Sequence, residues 1–315
     1  VGNGMGAKHG IMFKTAVSLE ETGKMEIVAL DKTGTITQGK PEIVECTISE
    51  AVKRYAAIAE KNSEHPIGKA VYSFLDDGNT PAPDEFQSIT GGGVFAKYDG
   101  HEIYIGNLRL MREHGIDAPE ADGLYVALDG NYEGNIKIAD TVKPTSKEAI
   151  AKLSGMQVYM ITGDSEKPAK EIAELVGISN VFASVLPGGK AEIVEQLQKE
   201  GRIVAFVGDG INDAVALTSA DVGIAMGTGT DIAGESADIV LMRGDLNLLP
   251  FAVNLSKATV RKIKQNLFWA FVYNSIGVPF AAFGFLNPII AGAAMALSSV
   301  SVITNSLFIH VKEKI

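Results

Sequence analysis

Four short apolar segments, each running into a polar loop, set the rhythm of the chain. They are Ile27-Val28-Ala29-Leu30 before Asp31, Val158-Tyr159-Met160-Ile161 before Thr162-Gly163-Asp164, Leu186-Pro187 before Lys190, and Ile203-Val204-Ala205-Phe206-Val207 before Gly208-Asp209-Gly210-Ile211-Asn212-Asp213. Strand–helix alternation over 24–44 and 138–250 predicts a parallel sheet with helices on its faces. Between these stretches, over 45–137, the pattern changes. A helix carrying Ala51, Tyr55, Ile58 and Ala59 gives way to alternating strands around Gly91-Gly92-Gly93-Val94, Ile103-Tyr104-Ile105 and Leu124-Tyr125-Val126-Ala127-Leu128, with hairpin signals at Asp99-Gly100 and Asp129-Gly130. This predicts an antiparallel α+β domain inserted between the first and second strands of the parallel sheet. Residues 1–23 read as a lead-in.

The last section, 263–309, is different again. Leu267 to Phe285 and Pro288 to Ile309 carry no charged side chain, and each is long enough for about 30 Å of hydrocarbon. Their short link at 284–288 predicts a transmembrane hairpin. Arg261, Lys262 and Lys264 precede it and Lys312 and Lys314 follow it, which places both ends on the cytoplasmic side of a multi-pass membrane protein.

Composition narrows the function. The 315 residues carry a net charge of −10, and no Lys/Arg cluster suits nucleic acid. The single cysteine, Cys46, excludes an internal disulfide and a cysteine metal cluster. The opening Val-Gly-Asn-Gly-Met-Gly-Ala-Lys-His-Gly reads like the middle of a longer protein, so the chain is expected to be a fragment.

Asp31, entering Lys32-Thr33-Gly34-Thr35 at the carboxyl edge of a parallel strand, stands where open α/β sheets bind ligands. It can attack a phosphoryl group while the amides of the turn hold phosphate oxygens. Any one loop Asp also fits a helix cap or turn former; four such loops in order favour chemistry. Together they resemble the motifs of the haloacid-dehalogenase-like phosphotransferases, and Asp-Lys-Thr-Gly-Thr with Gly-Asp-Gly-Ile-Asn-Asp resembles the P-type cation-transporting ATPases.

The resemblance implies Asp31 as phosphate acceptor, with magnesium held by Asp31, Asp209 and the Thr33 carbonyl. Lys190 and Thr162 would contact the transferring phosphoryl group. Asp213 and Asn212 would support that geometry, and Thr33, Gly163 and Asp164 would lie along the nucleotide phosphates. Related phosphatases carry a second Asp where this chain has Thr33. Without that acid–base group the acyl phosphate should persist, which suits an engine better than a phosphatase.

In the insertion, Glu64-His65-Pro66 resembles the Ser-Glu-His-Pro motif of the heavy-metal branch, and Gly91, Gly93, Gly106 and Asn107 match its nucleotide positions. ATP is the implied ligand of the combination; taken singly, the histidine and glycines fit surface and turn roles better. Three places depart from the family wording. Lys143 stands where many relatives have Arg, Gly188-Gly189 replaces polar residues, and Ala214-Val215 follows Asp213.

Tyr273 and Asn274 fall near the middle of the first expected span, and Met295, Ser298 and Ser299 near the middle of the second. Polar groups at that depth pair or bind something, and a thioether favours a soft ion such as copper(I). Helix–helix packing is the plainer alternative. Tyr-Asn with Met-x-x-Ser-Ser resembles the copper(I)-transporting subgroup; zinc or cadmium relatives would place Lys and Asp in these helices. The implied activity is ATP-driven copper(I) export, this chain being the carboxy-terminal part of the pump. Upstream membrane helices, an actuator domain bearing Thr-Gly-Glu, membrane lipid and a copper chaperone would be its partners. A soluble phosphatase is the rival of another class.

Overall fold

The computed structural model describes the chain except residues 187, 200, 210–212, 228–234, 284–287 and 310–315. In chain order its strands are β1 Ile11–Phe13, β2 Ile27–Asp31, β3 Thr37–Cys46, β4 Glu85–Ile89, β5 Gly93–Tyr98, β6 His101–Gly106, β7 Leu124–Leu128, β8 Asn131–Val142, β9 Gln157–Ile161, β10 Asn180–Phe182, β11 Val204–Gly208, β12 Val222–Met226 and β13 Ile239–Leu241. They fall into two compact units, Val1–Gln38 with Val142–Ile315, and Gly39–Thr141.

The first unit holds a seven-stranded sheet in the order β1-β13-β12-β11-β2-β9-β10. Its neighbours are parallel except β1, which runs antiparallel to β13. Every residue of β2, β11 and β12 is buried, because a parallel sheet is covered on both faces. Alternate side chains divide accordingly. Val28, Leu30, Ala205, Val207 and Ile224 join one core with Leu19, Ala169, Ala173, Leu249 and Val253 of the covering helices. Ile27, Ala29, Val204, Phe206 and Ala225 join the other with Ala191, Val194, Leu197, Ala216 and Leu217. Because β2 lies between β11 and β9, the loops leaving these three strands share one edge of the sheet.

The second unit is a six-stranded sheet in the order β3-β8-β7-β6-β5-β4, antiparallel from β4 through β8. Asp99-Gly100 and Asp129-Gly130 take positive φ at both residues, the backbone of a two-residue hairpin turn. Helices Glu50–Glu60 and Pro66–Leu75 supply Val52, Ala56, Ala59 and Val71 to one face. Leu110 and Met111 of the helix Leu108–Glu113 pack on Tyr125 and Ala127 of the other. This is the expected α+β insertion.

Two helices, Leu248–Ala282 and Pro288–Leu307, close the chain and contact each other. The expected membrane hairpin is not shown by them: among the described residues no helix is long and apolar enough to cross a membrane. The first begins as part of the sheet unit, with Leu249, Ala252, Val253 and Leu255 buried. From Leu267 to Ala282 it rises only about 24 Å at 1.5 Å per residue, and the link at 284–287 lies outside the described residues.

Among the described residues Phe206 is the largest fully buried side chain, and it sits on a central strand. Phe206→Ala is expected to cost about 3–5 kcal/mol through lost burial and the cavity left behind, read as a lowered urea midpoint.

Candidate active site

Asp31 is the last residue of β2 and is 5% exposed. The chain then turns through 32–36, where Gly34 has φ +73, a left-handed backbone that glycine accepts without strain. A Cβ at Gly34 would run into the Asp209 carboxylate. The glycine therefore answers two demands, the turn and the close approach of the loop after β11.

Lys190, on the first turn of the helix Gly189–Gln198, reaches the edge from the opposite side. Its Nζ lies 2.6 Å from Asp31 Oδ1 and 2.6 Å from Asp213 Oδ1. Asp209 completes the group: one oxygen each of Asp31, Asp209 and Asp213 lie within 4.8 Å of one another. Burial pushes the Asp31 carboxyl above its ordinary range; Asp213 adds to this, Lys190 opposes it, and Asp209 adds further. Asp209 is raised in the same way, first by burial, then by Asp213, against Lys190 and Lys143. For Lys190 burial works downward, but the carboxylates of Asp31 and Asp213 outweigh it and hold the ammonium more strongly protonated. Three oxygens of like charge at this spacing fit a hard divalent cation, whose ligands are carboxylates, carbonyls and water.

Thr162 follows β9 and is 2% exposed. Its hydroxyl accepts the Asp164 amide at 3.1 Å. Asp164 pairs with Lys32, Nζ to Oδ2 2.5 Å, so the loops after β2 and β9 are bolted by charge. Gly163 lies in that second loop and, among the described residues, only the Val185 carbonyl lies near the place of a Cβ. Thr33 is exposed on the first loop. Thr35 is fully buried, and its hydroxyl has no partner among the described residues. Asn212 lies outside the described residues.

In the second unit the structure gathers Gly91, Gly93, Gly106 and Asn107 at one corner. Gly93 faces Gly106 across β5 and β6, and a Cβ on either would meet the opposite backbone. Asn107 donates to the Gly91 carbonyl at 2.8 Å and caps the helix Leu108–Glu113 through the Leu110 amide at 3.0 Å. Glu64 and His65 are exposed at the start of the helix Pro66–Leu75, where His65 Nδ1 accepts the Ile67 amide at 3.2 Å.

Beside them stands a residue that the sequence reading did not single out. Glu60 is 4% exposed, one carboxylate oxygen has no partner among the described residues, and Gly68 leaves room beside it that a Cβ would fill. Burial pushes its carboxyl up to about 7 against a hydrogen bond from Ser63. The signal was available. Val52, Ala56 and Glu60 are four apart, so the acid sits on the buried stripe of its helix.

On the closing helices, Ser299 lies on Pro288–Leu307. The side chains of Tyr273, Asn274 and Met295 are outside the described residues, so the four are not brought together here.

Residues 25–221 match the family model of haloacid dehalogenase-like hydrolases. A copper-exporting P-type ATPase of Bacillus subtilis (strain 168) is 46% identical over 97% of this chain and 41% of its own length. One from Staphylococcus haemolyticus is 47% identical over 98% of this chain and 41% of its own length. The chain thus spans about two fifths of these relatives. Among solved structures, a zinc-transporting PIB-type ATPase in its E2·Pi state is similar with TM-score 0.87 and 29% identity, over 97% of this chain and 53% of that one. The catalytic domain of a CPx-ATPase, CopB-B, is similar with TM-score 0.68 and 28% identity, over 80% of this chain and 98% of that one.

The raised Glu60 carboxyl carries a signed pH effect. The folded state holds its proton up to about pH 7, the unfolded chain only to about 4.5, so Glu60's contribution to stability is lost as pH rises between those values. Glu60→Gln, neutral throughout, is expected to match the parent near pH 5 and melt higher above pH 7 in calorimetry. An equal offset at both pH values would mean that Glu60 does not titrate in this window.

Proposed function

The chain belongs to the haloacid dehalogenase-like hydrolase family, in the branch of the P-type ATPases, and on that premise we propose that it is the carboxy-terminal part of an ATP-driven copper(I) exporter. The observation that carries the catalytic half is the bridging of Asp31 and Asp213 by Lys190, with Asp209 alongside.

An oxygen of the Asp31 carboxylate attacks the γ-phosphorus of ATP. The bond from that phosphorus to the β–γ bridging oxygen breaks, and ADP leaves with the electron pair. Lys190 and the Thr162 hydroxyl hold the phosphoryl oxygens as charge spreads over them. Asp31, Asp209 and Asp213 would hold the magnesium ion, with the Thr33 carbonyl as a further oxygen; the ion supplies the neutralisation that this crowd of charge needs. Gly163 lets the second loop lie close to phosphate, and Asp164 orders Lys32. Asn212, outside the described residues, would support that geometry. In the second unit, the corner of Gly91, Gly93, Gly106 and Asn107 with Glu64 and His65 binds the nucleotide. Glu60 joins them as a buried carboxyl able to recognise an amino group.

Thr33 argues against the phosphatase reading. A hydroxyl has no useful basicity near pH 7, so this position cannot activate water against the acyl phosphate. Hydrolysis then falls to a partner domain, the actuator.

The two closing helices are proposed to span a membrane as a hairpin, with the catalytic units cytoplasmic. The charge-free runs and the basic residues Arg261, Lys262 and Lys264 support this. Tyr273, Asn274, Met295 and Ser299 would line the ion path, and the methionine sulfur favours copper(I). The likeness to a zinc-transporting structure keeps zinc as the alternative; the absence of Lys, Asp and Glu from Leu267 to Ile309 disfavours it. Membrane lipid, upstream helices and a copper chaperone complete the proposed partners.

Asp31→Asn is expected to abolish acid-stable, hydroxylamine-sensitive labelling of the protein by ATP labelled in its γ-phosphate. Retained labelling would move the acceptor elsewhere. In the full-length pump, Met295→Leu keeps the side-chain volume nearly constant and removes the sulfur. It should lower copper-stimulated ATP hydrolysis while leaving ATP affinity unchanged, and unchanged stimulation would assign Met295 to packing.

A further inference from the structure

We infer that Lys143 is a positioning residue that clasps the nucleophile loop to the root of the long carboxy-terminal helix. Its ammonium donates to two backbone carbonyls, that of Gly34 in the loop after Asp31 and, at 3.0 Å, that of Gly244. The Lys143 amide also donates to the Ile36 carbonyl at 3.0 Å, and the Ser146 hydroxyl to the same carbonyl at 2.7 Å. The loop is therefore gripped at its centre by a charge and at its exit by two neutral donors.

A peptide unit is planar and trans, so its carbonyl and the following N–H point in opposite directions. Holding the Gly34 carbonyl fixes the direction of the Thr35 amide, and it holds the Gly34 Cα against the Asp209 carboxylate, where no Cβ fits. Lys143 is also close enough to Asp209 to oppose the rise of its carboxyl pKa. One side chain thus orders a loop amide and the approach of a carboxylate.

The other end of the clasp explains its reach. Gly244 has φ +61 and leads into Asp245, whose carboxylate accepts the Thr145 hydroxyl at 2.9 Å and the Asn247 amide at 3.0 Å. Leu246 and Leu249 are fully buried, and the helix Leu248–Ala282 starts there. The segment Lys143–Ser146 thereby bridges the catalytic loop and the start of a 35-residue helix through one ammonium, two hydroxyls and a backbone amide. An Arg in this place could divide its fork between two carbonyls; here a single ammonium serves both.

The test uses hydrogen exchange of the whole chain, read by mass spectrometry, with labelling from ATP alongside. Lys143→Met keeps the apolar stem and removes the donors. Loss of a charge-assisted hydrogen bond corresponds to about ten- to hundredfold, so amides of both 33–36 and 244–248 should exchange faster by that order, with β12 unchanged. The magnesium concentration for half-maximal labelling should rise, and Lys143→Arg should restore all three readings. Thr145→Val should loosen 244–248 alone. If Lys143→Met does not fold, Lys143→Gln, with amide donors and no charge, should show the same pattern at smaller size. Faster exchange everywhere, in one segment only, or in neither would overturn the clasp. If the exchange pattern holds but the parent chain takes no label from ATP, the proposed phosphoryl transfer fails and the clasp stands.

Discussion

Negative charge gathered where water is scarce is the constraint on which the rest of the first unit depends. Three carboxylates with oxygens within 4.8 Å of one another repel strongly in a medium less polar than water. One ammonium, on Lys190, touches two of them. Removing that lysine would leave an uncompensated buried charge, which is far worse than never having placed the group there. The site is therefore built to demand cations, and its chemistry follows from that demand. The proposed phosphoryl transfer to Asp31 needs the carboxylate ionised despite burial, and positive charge around it favours the ionised form.

The sheet order turns a sequence-distant set into one edge. Asp31, Thr162 and Asp209 leave β2, β9 and β11, which are neighbours although well over a hundred residues separate the first from the others. Two glycines let the loops close to contact: a Cβ on Gly34 would meet Asp209, and one on Gly208 would press on Asp213. The Lys32–Asp164 pair then joins the β2 and β9 loops with a contact of 2.5 Å. Surface ion pairs contribute little, but this lysine is only 10% exposed at its side chain, so water screens the pair less.

Much of this was legible in the chain itself. Apolar runs without alternation marked β2 and β11, Asp-Gly pairs marked two hairpins, and loop wording pointed to Asp31, Asp209, Asp213 and Lys190 as one chemical group. What escaped were relations that only packing creates. In the sequence Lys143 stands out only as a lysine in place of an arginine; its two carbonyl acceptors come from loops 109 and 101 residues away and leave no local mark. Glu60 does leave one, on the buried stripe of its helix, one turn before the Glu64-His65-Pro66 motif. The closing helices show the opposite case. The charge-free run from Leu267 reads as a membrane span, but it continues a helix, Leu248–Ala282, whose first turns are buried in the sheet unit at Leu249 and Leu255. Hydropathy averaged along a helix does not show where one environment ends and the next begins.

Charge accounting connects the chemistry to the helix. Before reaction, three carboxylates against one ammonium leave two negative charges in excess, the amount a divalent cation cancels. On the proposed reaction, the single negative charge of Asp31 is replaced by a phosphoryl group carrying about two. The edge thus gains a negative charge that neither Lys190 nor the cation was matched to. The nearest adjustable dipoles are the peptide units of 33–36, and the group that sets their direction is the Lys143 ammonium. That same ammonium ties the loop after Asp31 to Gly244, next to Asp245 and the root of a helix whose first turns are fixed in the core by Leu249 and Val253. The group that orders the catalytic loop therefore also anchors the start of the long carboxy-terminal helix.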